Sequence, residues 1–191
     1  MAALGSAAIV PRNTADGIYA VTLDARGQEV HTRLPDDAEL PQDLNLSAYD
    51  KREETKNTPW KSEDLNTFCT CGNGADKHDT DAAVQDLQSQ LGQGKKFNYL
   101  SVYSKRGDVV AFACKEAKLE FAETSAKDVE LIMAEVRSAC GAYTPGSANF
   151  KVKRDGTNRA LTYGFMKLAD KDVEFCRMAT ASYKVPKCNH H

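Results

Sequence analysis

Apolar and polar residues alternate twice near the start of the chain. Ile18, Ala20 and Thr22 fall on one side of an extended backbone and Tyr19, Val21 and Leu23 on the other; Val30, Thr32 and Leu34 resume the alternation after Asp24-Ala25-Arg26-Gly27. A period of two on both sides of a turn-forming tetrapeptide predicts a β-hairpin over 17–34. A lone hairpin is marginal in water. It is therefore expected either to lie against the rest of the protein or to lose its structure once cut free. The favoured reading is a pro-segment that assists folding or shields a surface, and the alternative is an extra edge hairpin of the domain. Residues 35–59 are acidic, polar and without an apolar period, which reads as a linker.

Beyond the linker, Trp60 and Phe68 flank a short strand that runs into Cys69-Thr70-Cys71-Gly72. Asp79-Thr80-Asp81 then supplies cap chemistry for a helix with Ala83, Val84, Leu87 and Leu91 on one face, ended by Gly92 and Gly94. Two strands, Tyr99 to Tyr103 and Asp108 to Cys114, surround Ser104-Lys105-Arg106-Gly107. A second helix starts at Ser125, with Asp128 completing a capping-box pattern. Val129, Ile132, Met133, Val136 and Cys140 mark its apolar face before Gly141. Strands Asn149 to Lys153 and Ala160 to Leu168 bracket Arg154-Asp155-Gly156-Thr157-Asn158, and a short helix from about Asp170 to Thr180 carries Cys176. This order predicts an α+β fold: an antiparallel sheet of four to five strands with two helices on one face. The helices would bury Leu87, Leu91, Ile132 and Val136 against Val109, Ala111, Val152 and Phe165. Split βαβ units in a ferredoxin-like topology are compatible with it.

The cysteines change this picture from a plain α+β domain to a stapled one. Cys69, Cys71, Cys114, Cys140, Cys176 and Cys188 all follow residue 52, and none precedes it. An even number in a chain with secretory features predicts disulfides, although sequence alone leaves the pairing open. Cys69 and Cys71 share one face of a strand, so they are expected to staple it to two different elements rather than to pair with each other. A metal reading would recruit His78 and Asp79, but Cys-x-Cys is too short for a zinc knuckle and no second cysteine pair follows. No metal and no cofactor is expected.

The chain before these cysteines reads as a leader. Met1 to Val10 is small and apolar, like the end of a signal peptide. Residues 11–52 form a pro-segment, made of the hairpin and an acidic linker over 35–52, and Lys51-Arg52 is a dibasic site for a kexin-type protease. The mature domain would be 53–191. Asn45-Leu46-Ser47 is a glycosylation sequon, with Asn45 the acceptor. Lys105-Arg106 and Lys153-Arg154 fall in expected tight turns, where a protease has poor access. His190 and His191 are either native or a tag remnant.

Charge and chemistry narrow the function. Residues 1–52 hold 5 Lys and Arg against 8 Asp and Glu, and residues 53–191 hold 20 against 19. A near-neutral domain carries no electrostatic footprint for nucleic acid. It also lacks the strongly basic face of a cationic membrane disruptor. No stretch is apolar for the roughly 20 residues that a membrane helix requires. Candidate acid–base groups for a small hydrolase are Asp79, Asp81, Glu116, Glu120 and Glu123, with His78 as a base. Neither Gly-x-Ser-x-Gly nor His-Glu-x-x-His occurs, and carboxylates at helix starts are more often caps than catalysts. No catalytic residue is assigned. Arg106-Gly107-Asp108 matches an adhesion tripeptide, but a glycine turn explains it.

Several pieces together resemble small secreted cysteine-rich proteins of filamentous ascomycete fungi that are regarded as candidate effectors. They are Cys69-Thr70-Cys71-Gly72, residues 81–87, Tyr103 to Gly107 followed by 109–114, Ala139-Cys140-Gly141, Tyr163-Gly164-Phe165-Met166 and Val173-Glu174-Phe175-Cys176. The layout is also similar, more loosely, to the α/β sandwich of killer toxins. Members of the group often carry another cysteine before the first helix, where this chain has Asp79 and Thr80, which leaves the pairing of Cys69 and Cys71 open. The resemblance implies secretion, maturation after Arg52 and action by binding a host target, in a plant, with later entry into host cells as a further step. Its alternatives are a killer-toxin-like antimicrobial protein directed at a microbial surface and a small secreted hydrolase.

Overall fold

The 17–34 hairpin forms where the alternation places it. β1 (Gly17–Leu23) and β2 (Glu29–Leu34) pair from Ile18↔Leu34 to Leu23↔Glu29. Asp24 closes the turn: its Oδ1 accepts the N–H groups of Arg26 and Gln28, each at 2.8 Å, and its own N–H donates to Gln28 O at 2.9 Å. The computed structural model of the chain describes residues 9–35, 65–70, 74–92, 95–115, 122–150, 161–168 and 174–176. Lys51, Arg52, Asn45, Cys71, Cys188, Val152, Glu116 and Glu120 lie outside the described residues, as do the turn over 154–158 and most of the expected helix over 170–180.

The remaining elements are β3 (Leu65–Cys69), α1 (Lys77–Leu91), β4 (Lys95–Phe97), β5 (Ser101–Arg106), β6 (Val109–Lys115), β7 (Ala122–Thr124), α2 (Ala126–Cys140), β8 (Gly146–Phe150) and β9 (Leu161–Lys167). Seven strands make one sheet in the order β2-β1-β5-β6-β9-β8-β3, and each neighbouring pair is antiparallel. β4 and β7 form a separate two-stranded ribbon. The sheet is thus larger than the four to five strands expected, and the reason is the hairpin. β1 has Ile18 and Ala20 buried on one face and Tyr19 and Val21 on the other. A strand buried on both faces belongs inside a sheet, and β5 supplies its second neighbour. The hairpin is no appendage in this fold. The topology meets the split βαβ expectation in one half only: β6 and β8, which α2 connects, run parallel with β9 alone between them, whereas β3 and β5, on either side of α1 in the chain, are separated by β6, β9 and β8.

Both helices cover the same face. Asp76 caps α1, its Oδ1 accepting the Asp79 N–H at 2.9 Å, so the helix starts one turn earlier than Asp79-Thr80-Asp81 suggested. Ser125 caps α2 as expected: its Oγ accepts the Asp128 N–H at 3.2 Å and donates to Asp128 Oδ2 at 3.0 Å. Leu87, Leu91, Ile132 and Val136 meet Val109, Ala111 and Phe165 in the main core, all of them fully buried. Each of these side chains except Ala111 contributes about 1.5–3 kcal/mol relative to exposure. A second, smaller core lies on the opposite face of the sheet, where Val10, Tyr19, Val21, Tyr103, Val110, Phe112 and Phe175 pack together.

Each core carries a disulfide. Cys69–Cys140 ties the end of β3 to the last turn of α2 on the helix side, with 5.4 Å between Cα atoms. Cys114–Cys176 ties β6 to the 174–176 segment on the other side, at 5.6 Å. Cys69 thus pairs with α2 and not with Cys71, as expected, while the second element that Cys71 was expected to reach lies outside the described residues.

Candidate functional site

Aromatic rings, an imidazole and several charges meet at the seam where the N-terminal hairpin joins β5. Tyr19 on β1 stacks on Tyr103 of β5, with ring centroids 5.1 Å apart, and the two stand opposite each other in the strand register. Phe175 meets the edge of Tyr103 at 5.5 Å and tilts against Phe112 at 5.1 Å. Aromatic pairs in these arrangements are favourable beyond the area they bury. Nδ1 of His31, on β2, lies 3.0 Å from the Tyr103 hydroxyl. The imidazole tautomer sets the direction: the hydroxyl donates to a bare Nδ1 and accepts from an Nδ1–H. Glu29 follows behind, 3.6 Å from His31 Nε2, and also accepts the Ile9 N–H at 3.3 Å. Burial pushes the Tyr103 phenol well above its ordinary pKa, and the nearby Tyr19 and Glu29 add to the shift. Glu29, His31 and Tyr103 form a carboxylate–imidazole–phenol chain, but Tyr103 is fully buried and offers no atom to an outside substrate.

Charges lock the same seam at its other end. Lys105 Nζ donates to Asp16 Oδ1 at 2.6 Å, and the Gly107 N–H donates to Asp16 Oδ2 at 3.1 Å. The Lys105 hydrogen bond holds the Asp16 carboxyl below the ordinary carboxylate range, against a smaller opposing effect of burial and with help from the Gly107 amide. On the inner side of the same turn, Arg106 Nε and Ser104 Oγ both donate to Asp86 Oδ2 of α1, at 2.6 and 2.9 Å. Arg106-Gly107-Asp108 is therefore the fastening point of β5 to its surroundings. Its arginine is engaged by α1, and Asp108 lies 3.4 Å from Lys167.

The acid–base candidates named from sequence gather only in part. His78, Asp79 and Asp81 come together at the start of α1, where a shallow open depression of about 440 Å³ is lined by Asp76, Lys77, His78, Asp81, Ala82 and Gln85. Ligand atoms of Asp76, His78 and Asp79 lie within 4.8 Å of one another. These groups are already accounted for by the helix start. Asp76 is the cap and Asp79 sits in the first turn, where a carboxylate stabilises the helix dipole. Asp81 accepts from Arg137 Nη2 at 2.8 Å and from Tyr143 OH at 3.3 Å, joining α1 to the end of α2. Cys69, which a metal reading would have shared with His78 and Asp79, is bridged to Cys140 and has no thiolate to give.

Sequence reading missed Asp16, Glu29, His31 and Tyr103. Each lies in or beside a predicted strand, but only the long-range pairing of β1 with β5 brings them together. The one local signal was the unbroken apolar run Ile18-Tyr19-Ala20-Val21, which marks a strand with no solvent face. No protein-family model, curated protein or solved structure matches the chain.

Proposed function

We propose that the protein is a secreted, disulfide-stapled binding protein of the effector type, made as a precursor and cut after Arg52 by a kexin-type protease. It acts on a molecule of a host, in a plant, by recognition rather than by catalysis. The observation that carries this reading is the distribution of covalent staples. Cys69–Cys140 and Cys114–Cys176 both lie beyond the dibasic pair, while residues 1–52 contain no cysteine. Structural disulfides belong to oxidising compartments, and after one cut a cysteine-free leader has no covalent link to a bridged domain. No described helix is long and apolar enough to cross a membrane. The engagement of Asp79 in a helix start and of Asp81 with Arg137 favours binding over hydrolysis.

The test is the intact mass of the protein collected from the medium of a producing cell, under denaturing conditions, with and without reduction and alkylation. The expected species begins at Glu53 and gains alkyl groups only after reduction. An uncut chain that alkylates without reduction would contradict the proposal.

A further inference from the structure

The N-terminal segment 9–35 is attached to the rest of the fold along a strand, on both faces of the sheet and at both of its ends. Along the strand, β1 pairs with β5 from Gly17↔Lys105 to Val21↔Ser101, and the Leu100 N–H adds a bond to Val21 O at 2.9 Å. On the helix side, Ile18, Ala20 and Leu34 join the main core; on the other side, Val10, Tyr19 and Val21 join Tyr103, Phe112 and Phe175. At the ends, Ile9 bridges to Glu174, Asp16 holds Lys105, and Gln90 Nε2 of α1 donates to Pro35 O at 3.2 Å. None of these attachments is covalent, because residues 1–52 have no cysteine.

We infer that β5 is a strand-docking surface whose occupant is the chain's own segment 9–35, and that a cut in the linker leaves this segment bound as a second, non-covalently held chain. Retention of the cut segment in the cell presupposes the proposed cleavage after Arg52. Removing β1 would leave β5 with a row of unpaired backbone groups and with Val102 and Tyr103, both fully buried in the intact fold, uncovered on its two faces. Such an edge invites another strand. The segment therefore completes the sheet and withholds its edge from other chains at the same time. The fit is specific: apolar side chains of moderate size on both faces, and a carboxylate where Lys105 and the Gly107 amide converge.

The full chain, folded and oxidised, is cut after Arg52 with a kexin-type protease and, in a parallel version, at a site-specific protease sequence inserted within 36–64. Both cut proteins are then kept in native buffer for a day and analysed by gel filtration and native mass spectrometry. The expected result is one complex holding one copy of each piece, which separates in denaturant without reductant. I18D, at a buried position, should release its N-terminal piece at least about tenfold faster, whereas L23D, at a half-exposed one, should retain it. If I18D fails to fold, the unsubstituted cut protein decides alone. Release of the N-terminal piece in native buffer, whether 53–191 then stays soluble or aggregates, overturns the inference. A protease that will not cut after Arg52 contradicts the precursor reading only, because the inserted site still tests retention.

Discussion

Gly164 stands opposite Phe112 in the register of β6 and β9, in the middle of the sheet. A Cβ there would meet Phe112 Cζ at 2.8 Å, Ser147 Cβ at 2.7 Å and the Gly146 carbonyl closer still. The Phe112 ring thus covers a glycine that no larger residue can replace without moving backbone. G164A is expected to cost about 1–3 kcal/mol, the usual range for overpacking. Urea unfolding would show it as a lower midpoint at an unchanged slope. Asp16 gives a pH prediction. Its folded pKa is depressed by Lys105, so its contribution is in place above the unfolded value of about 3.9 and is lost as pH falls through the lower folded value. D16N should flatten the fall of the thermal midpoint in that acid window; melts of both proteins from neutral pH downwards check this, and identical acid profiles would refute it. Tyr103 has the opposite sense. Its folded pKa is raised, so its contribution is full below the unfolded value of about 10 and is lost as pH climbs beyond it. An ultraviolet titration should show the Tyr103 phenol ionising only together with unfolding, so Y103F should lower the amplitude of that step by one phenol; an unchanged amplitude would refute it.

Among the elements, those with complete local signals were legible. α2 runs from a Ser125 cap with Asp128 to Gly141, and its apolar face of Val129, Ile132, Met133, Val136 and Cys140 is buried throughout. The hairpin was equally plain, because Asp24 and Gly27 specify its turn. Its place in the sheet was not, since pairing with β5 joins residues eighty or more positions apart and the apolar run on β1 does not name its partner. β4 and β7 are three residues each, too short to display a period. The start of α1 was misplaced by a turn because Asp76, Asp79 and Asp81 all have cap chemistry, and only the Asp76 carboxylate receives the Asp79 amide. The pairing of cysteines was beyond any local rule. Cys69–Cys140 closes a separation of 71 residues, and C69S/C140S is expected to cost about 2–5 kcal/mol. Non-reducing peptide mapping should recover Cys69–Cys140 and Cys114–Cys176. If all six cysteines are oxidised within one chain, Cys71–Cys188 is the pairing that remains. Recovery of Cys71–Cys140 or Cys69–Cys114 instead would contradict the assignment.

For the molecule as a whole, the hairpin decides how sequence and architecture relate. Read locally, residues 11–52 are a leader and 53–191 a domain. In the fold, the first of these contributes two strands, β1 and β2, to a sheet whose other five come from the second. The candidate site followed the same division: the acids gathered at α1 were visible in sequence and are occupied structurally, while the Glu29–His31–Tyr103 chain was invisible because its members belong to both parts. This architecture depends on β1 being an interior strand. Amide hydrogen exchange on the oxidised full-length chain tests that most directly. Ile18 to Val21 should exchange as slowly as Val110 to Ala113 of β6, by opening of the whole sheet. Exchange of the β1 amides at the rate of exposed loops, with β6 still protected, would contradict it.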